Sequence, residues 1–204
     1  MSKYLKFGNF PPTAYAMELD RNQILNIDIR GIWPQTPRIA GPAFTVQLYP
    51  GDNLMFHAAI YEAPAGSIIV ADAVDVNFAV AGGNVCAIAQ KNGIAGFVID
   101  GAIRDLAEIR RMVFPVFSRG VIPIPGKKEM SGPLNTPITC GGVKVFAEDV
   151  IVADEEGIVV IPQEDQEEVY EKTLSTEAKD ANISLEEWEK DHRAKIQSLR
   201  VKSD

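Results

Sequence analysis

Gly82-Gly83-Asn84-Val85-Cys86-Ala87-Ile88-Ala89-Gln90-Lys91-Asn92-Gly93-Ile94-Ala95-Gly96-Phe97-Val98-Ile99-Asp100-Gly101-Ala102-Ile103-Arg104-Asp105 is the stretch that decides the fold. Its glycine pair opens a helix predicted over Val85 to Asn92, with Val85, Ile88 and Ala89 on one face. Gly93 is placed to end that helix in a left-handed cap. Gly96-Phe97-Val98-Ile99-Asp100 is apolar without alternation, as a strand covered on both faces requires. Gly101-Ala102-Ile103 reads as the turn leaving it, and Asp105 as the start of the next helix. Helix, buried strand and helix in succession indicate an α/β sheet, whose ligands gather at strand carboxyl ends and helix N-termini.

The surrounding chain extends the pattern. Gly41-Pro42-Ala43-Phe44-Thr45-Val46-Gln47-Leu48 alternates like a strand, and Pro50-Gly51-Asp52-Asn53 is a turn offering a helix cap. A helix is predicted over Leu54 to Glu62, stopped by Pro64, followed by a buried strand over Ser67 to Asp72. Beyond Met112 strands are predicted over Val113 to Ser118, Val121 to Ile124, Val143 to Phe146, Val150 to Ala153 and Gly157 to Ile161. Pro125 to Thr139, carrying Lys127 and Lys128, reads as a surface loop. The last ~40 residues are helical by pattern, with a capping box at Ser184-Leu185-Glu186-Glu187 and an apolar stripe of Leu185, Trp188, Ile196 and Leu199. The reading is one α/β domain over residues 1–162 with a C-terminal helical arm over 163–204.

Composition removes several classes. The chain has 204 residues, 46% hydrophobic, enough for a real core. Its 20 Lys+Arg against 28 Asp+Glu give a net charge of −8, and no dense basic stretch occurs, so no nucleic-acid partner is expected. No apolar run approaches the ~20 residues of a membrane helix, and the N-terminal segment lacks a signal's apolar core, so a cytoplasmic protein is expected. Two cysteines and two histidines cannot build a disulfide framework or a multi-His metal site, leaving oxygen ligands for any metal.

The chemistry-bearing cluster is Arg104, Asp105 and Glu108. Asp105 and Glu108 share a helical face, so together they can hold Mg²⁺ or Mn²⁺, one directly and one through water, while Arg104 grips an oxyanion. The spacing alone equally describes a helix start in which Asp105 caps and Glu108 reaches back. The turn at Gly82-Gly83-Asn84 has two readings as well: an anion site formed by helix-start amides, or an ordinary turn with Asn84 as N-cap. His57 is read as a satisfied helix histidine, and Cys86 as a small packed apolar residue.

With these blocks in view, the sequence resembles the family containing the regulator of ribonuclease activity A and the class II 4-hydroxy-4-methyl-2-oxoglutarate/4-carboxy-4-hydroxy-2-oxoadipate aldolases. That family is marked by Gly-X20-Arg-Asp-X2-Glu/Asp, which Gly83, Arg104, Asp105 and Glu108 fit. The likeness runs from about Pro11 to Pro162 and takes in Gly41-Pro42-Ala43-Phe44, Gly51-Asp52-Asn53-Leu54 and Asp154-Glu155-Glu156-Gly157-Ile158-Val159. It implies an α/β/β/α sandwich assembled as a homotrimer or a dimer of trimers, with the site at a subunit interface and the helical arm packing on a neighbouring subunit. It also implies a lyase that cleaves a 4-hydroxy-2-oxo acid to pyruvate through an enolate, with oxaloacetate decarboxylation at the same site.

In that scheme Asp105 ligates Mg²⁺ or Mn²⁺, Glu108 acts through water, and Arg104 contacts the ketone oxygen. The residues Gly82, Gly83, Asn84, Val85 and Cys86 hold the substrate carboxylate. A neighbour's carboxylate completes the site in family aldolases, and Glu177 is the nearest counterpart here. The chain departs from many relatives at Gly83-Asn84-Val85-Cys86 and at Ala147-Glu148-Asp149. The alternative from a different class is a non-catalytic protein that regulates ribonuclease E-like enzymes by binding them.

Overall fold

Strands with apolar residues on both faces need cover on both sides, and the chain provides it by alternating them with helices. The computed structural model describes residues 2–201. It begins with α1 (Ser2–Leu5), α2 (Pro12–Ala16) and a two-residue strand β1 (Arg30–Gly31). The central unit is β2 (Ile39–Gln47), α3 (Leu54–Glu62), β3 (Ile68–Asp72), α4 (Gly83–Lys91), β4 (Gly96–Ile103), α5 (Leu106–Met112) and β5 (Val116–Val121). Then come β6 (Ile138–Cys140), β7 (Val143–Val145), β8 (Val150–Asp154), β9 (Gly157–Ile161), α6 (Gln166–Asp180) and α7 (Leu185–Val201).

Seven strands form one sheet in the order β1-β5-β4-β3-β2-β8-β9, and β6-β7 is a separate ribbon. Strands β2 to β5 run parallel, as their helical crossovers demand, whereas β8 and β9 are antiparallel. β2 is the corner. Its first half, Ile39 to Pro42, pairs with β8, and its second half, Ala43 to Gln47, pairs with β3. Gly41 sits where the strand turns, and a Cβ there would lie 2.5 Å from the Gly66 carbonyl oxygen.

The sheet therefore folds over itself and gives four layers, the α/β/β/α sandwich. Period-two alternation distributes the side chains. Ile69, Ala71, Phe97 and Ile99 face α3, α4 and α5, meeting Phe56, Ile60, Cys86, Ala89 and Ile109. Ile68, Val70, Val98 and Phe117 face inward onto Ile151, Ala153, Ile158, Val160 and the β6-β7 ribbon. Val150, Val152, Val159 and Ile161 turn outward to Phe7, Tyr15 and Val169.

Helix α3 and strand β9 have the predicted bounds, and Gly93 has φ 79°, the left-handed stop expected after α4. The Ser184 capping box forms, with the Glu187 amide donating to Ser184 Oγ at 3.2 Å and the Ser184 amide to Glu187 Oε2 at 3.0 Å. Three expectations are corrected. Gly101-Ala102-Ile103 continues β4 through an irregularity between Ile99 and Ala102, because β5 still pairs with Ala102 and Ile103. The strand predicted over 113–118 starts only at Val116, since Val113 has φ 56° and closes α5, and it runs on to Val121 as β5, while 122–124 are not strand. The loop predicted to Thr139 gives way to β6, whose partner β7 lies beyond a Gly141-Gly142 turn.

Phe97 stands between Phe56 and Phe114, each ring edge-on at a centroid distance of 4.8 Å. Phe97→Ala is expected to destabilise the fold by about 3–5 kcal/mol, seen as a lower urea midpoint at unchanged slope. A loss below ~1 kcal/mol would show that this aromatic stack does not hold α3 and α5 to the sheet.

Candidate functional site

The site begins where β4 ends. Segment 79–82 runs beside that end: the Val80 amide donates to the Ala102 carbonyl at 2.8 Å, and the Arg104 amide to the Ala81 carbonyl at 2.9 Å. These bonds bring the glycine-opened start of α4 against the start of α5. A Cβ on Gly82 would run into Asp105 Oδ2, and one on Gly83 into Glu108 Oε2. The glycines are there because the acidic side chains occupy the space a larger residue needs.

Asp105 has φ 60° and ψ 35°, a left-handed conformation tolerated best by Asn, Asp and Gly. Its carboxylate does not cap α5. Oδ2 instead accepts the Gly83 amide at 3.1 Å, across to the neighbouring helix. The capping-box alternative for Asp105 and Glu108 is thereby removed. Asn84 is not an N-cap either, because α4 starts at Gly83 and Gly82 occupies the capping position.

Arg104 Nε lies 3.4 Å from Asp105 Oδ2, with the side chains 42% and 37% exposed, so the pair can still reach a ligand. Both line a small cavity of about 70 Å³ together with Gly82, Asn84, Val85, Asn53, His57 and Lys128. By helix geometry the Asn84 and Val85 amides have no intrahelical acceptor. The Cys86 amide does, donating to the Gly82 carbonyl at 3.0 Å, and its side chain is fully buried. Cys86 therefore leaves the expected anion-binding set, and burial pushes its thiol up to about 12. Glu108 is exposed and lies against Gly83 rather than in the cavity lining.

Three lining residues come from elsewhere in the chain. Asn53 is buried; its amide nitrogen donates to the Ala79 and Val80 carbonyls at 3.3 and 3.0 Å, while Oδ1 has no partner. His57 is held below its ordinary value of 6.5, first by burial and then by the positive charges of Lys128 and Arg104. The sequence reading had His57 as a satisfied helix histidine and Lys127-Lys128 as surface loop, whereas His57 and Lys128 both face this cavity. The signal available was the Gly51-Asp52-Asn53 turn, read only as a cap.

Among the described residues no group of three or more His, Cys, Asp or Glu is arranged to hold a metal. An ion at Asp105 would draw on one or two carboxylates and fill its other positions from water and substrate, a donor set suited to Mg²⁺ or Mn²⁺ rather than zinc. A larger open groove of about 570 Å³ lies beside Asp28, Arg30 and Arg119. Its Arg119 is already paired with Asp100 and Asp28, whereas Arg30 has no such ion pair among the described residues.

A family model described as RraA-like (Aldolase/RraA) matches residues 14–160. A Halalkalibacterium halodurans protein, provisionally named 4-hydroxy-4-methyl-2-oxoglutarate aldolase, is 41% identical over 86% of this chain and 83% of its own. The structure of the RNA-processing inhibitor RraA from Thermus thermophilis superposes with a TM-score of 0.63 at 28% identity, covering 68% of this chain and 84% of that one. Streptomyces coelicolor RraAS2, described as an unusual member of the RNase ES inhibitor RraA family, shares the fold over 93% of this chain and 94% of its own, with a TM-score of 0.77 at 23% identity.

A depressed histidine gives a checkable pH effect. The unfolded chain takes up the His57 proton near 6.5 while the folded chain resists until lower pH, so this residue withdraws stability as pH falls through that window. In Lys128→Met the His57 pKa is expected to rise toward 6.5, followed by NMR titration of the ring. An unchanged midpoint would mean that Lys128 does not face the imidazole.

Proposed function

The chain belongs to the RraA-like family (Aldolase/RraA), and from that membership and the geometry at Asp105 we propose that it is a lyase of 4-hydroxy-2-oxo acids that releases pyruvate. One observation carries the reading: Asp105 spends its carboxylate on the Gly83 amide instead of capping its own helix, which keeps a cation and acidic oxygens at one glycine-opened mouth. A divalent cation, Mg²⁺ or Mn²⁺, would be held by Asp105, with Glu108 acting through water, and would supply Lewis-acid charge at the 2-oxo group when bound.

The chain's own groups do the rest. The Asn84 and Val85 amides, at the positive end of α4, take the C1 carboxylate. Arg104 donates to the C2 oxygen, which gains negative charge as the C3–C4 bond breaks and its electron pair enters the C2–C3 enolate. The 4-hydroxyl gives its proton to water and becomes the carbonyl of the departing half. The enolate then takes a proton at C3 to give pyruvate. Oxaloacetate loses CO₂ through the same enolate, so decarboxylation belongs to the same site. No Schiff-base lysine enters the scheme.

A binding role without chemistry is the second reading. The likeness to an RNA-processing inhibitor and the net charge of −8 favour it. Among the described residues no helix is long and apolar enough to cross a membrane.

Pyruvate release from oxaloacetate and from 4-hydroxy-4-methyl-2-oxoglutarate, with Mg²⁺ or Mn²⁺ and again after chelation, separates the readings. Metal-dependent release is expected; none from either substrate would leave the binding role. Asp105→Asn and Arg104→Lys are each expected to lower turnover by ~100-fold or more at unchanged thermal stability. Near-normal rates would remove these residues from the reaction.

The same reading assembles the chain as a homotrimer or a dimer of trimers with α7 lying on a neighbour. Its support is that Leu185, Trp188 and Ile196 on α7 are 80%, 53% and 42% exposed. Sedimentation is expected to give three or six times the 22.3 kDa chain, and a monomer would dismiss the assembly.

A further inference from the structure

The proposed reaction draws on the starts of α4 and α5 and gives no role to the last helix of the arm. α7 is 17 residues long, and every residue from Leu185 to Arg200 is exposed. At 3.6 residues per turn, Leu185, Trp188, His192, Ile196 and Leu199 fall within about 80° of one another around its axis. Trp188 and His192 stack along that line, with ring centroids 4.5 Å apart and planes 10° apart. A stripe so narrow, with spacings of three and four, has the form of a two-helix seam rather than the broad face of a helix laid on a sheet. The Ser184 capping box fixes the helix start while Leu185 beside it stays 80% exposed.

Charge says which helix fits the seam. Before His192 the helix carries four carboxylates, Glu186, Glu187, Glu189 and Asp191, against one cation, Lys190. After it come Arg193, Lys195 and Arg200, and no carboxylate before the helix ends. This segregation suits the helix's own dipole, and it also makes the helix complementary to a reversed copy of itself. A parallel copy would set acidic half beside acidic half and basic half beside basic half. With the two copies reversed about His192, Trp188 of each lies opposite Ile196 of the other, and Leu185 opposite Leu199. On one flank Glu186 then approaches Arg200 and Glu189 approaches Arg193; on the other Asp191 approaches Lys195. Arg193 already bonds Glu189 within its own helix at 2.7 Å, so the reversed copy sets a second such pair beside the first.

We propose that α7 pairs with α7 of a second copy of this chain, antiparallel and two-fold symmetric, with His192 at the axis. Such a contact is isologous. Where all three arms of one trimer meet those of another, it closes at six chains and grows no filament. The inference deepens the assembly reading and rests on it for the trimer, whereas the helix pair follows from α7 alone.

Sedimentation of the whole chain is expected to give six times 22.3 kDa, falling to three times in Trp188→Glu/Ile196→Glu at an unchanged melting temperature. A trimer in the unaltered chain would overturn the helix pair and leave the trimer standing. Two chains that separate in the double variant would support the helix pair and dismiss the trimer. Direction is read by cysteine linkage, since Cys86 and Cys140 are buried and do not compete. Under mild oxidation His192→Cys is expected to give disulfide-linked pairs of chains. Trp188→Cys alone is not, because reversal sets its two copies about 12 Å apart along the helices, beyond disulfide reach. An equal mixture of Trp188→Cys and Ile196→Cys chains is expected to link. No linkage in His192→Cys, or self-linkage of Trp188→Cys to the same extent, would overturn the proposal. Pyruvate release is a separate measurement, and its failure touches the lyase reading alone.

Discussion

The contact on which the rest depends is the one between the start of α4 and the start of α5, closed by the Gly83 amide on Asp105 Oδ2. At that contact a Cβ on Gly82 would meet Asp105 Oδ2 and one on Gly83 would meet Glu108, so a larger residue would have to displace these side chains. A charge-assisted bond of this kind contributes roughly 1.5–3 kcal/mol when shielded and less at an exposed rim. Its larger effect is positional. With one oxygen fixed by Gly83, Arg104 is held alongside and the remaining α4 amides stay turned toward the cavity. The scaffold behind is rigid, because β4 is buried on both faces and paired on both sides.

Electrostatics gives that arrangement its direction. Burial and two neighbouring cations keep His57 below its ordinary range, so it adds no positive charge near neutrality. The positive groups that persist are Arg104, just past β4, and Lys128, on the segment 124–130 that bonds to the turn before α3. A ligand carrying negative charge is favoured beside these two cations, and the α4 N-terminus favours its carboxylate end. Segment 124–130 and the glycine turn thus line the same small space, although their residues are far apart in the chain.

Local signals made much of this legible in the sequence. α3 has its predicted bounds because Asn53 and Pro64 punctuate it, and β9 because a turn residue and a proline bracket its apolar run. Arg104, Asp105 and Glu108 were visible as a cluster at one predicted helix start, and the family resemblance joined Gly83 to them. What could not be read was pairing at a distance. β4 runs on through Gly101 because β5 and segment 79–80 bond to it, and β6 exists because β7 folds back on it. Asn53, His57 and Lys128 were missed for the same reason: each looks like cap, helix or loop until buried Asp52 ties down segment 124–130 by accepting the Glu129 and Met130 amides. The ambiguity at Asp105 was of another kind, since spacing cannot say which amide a carboxylate chooses.

That choice is also where the chain tolerates strain. Asp105 and Val113, at the two ends of α5, are both left-handed without being glycine, and a β-branched residue there is an outlier. A left-handed L-residue costs roughly 1–2 kcal/mol, and a seven-residue helix offers little of its own to offset two of them. The compensation comes from packing: Ile109 is fully buried, Phe114 meets Phe97 edge-on, and the Phe114 amide donates back to the Ile109 carbonyl at 3.4 Å. A glycine at position 105 would relieve the backbone and forfeit the carboxylate. A helix begun in the usual way would turn that carboxylate onto its own amides. The strained backbone at Asp105 is therefore what frees an acidic oxygen for the glycine turn, and the core beneath α5 holds it there.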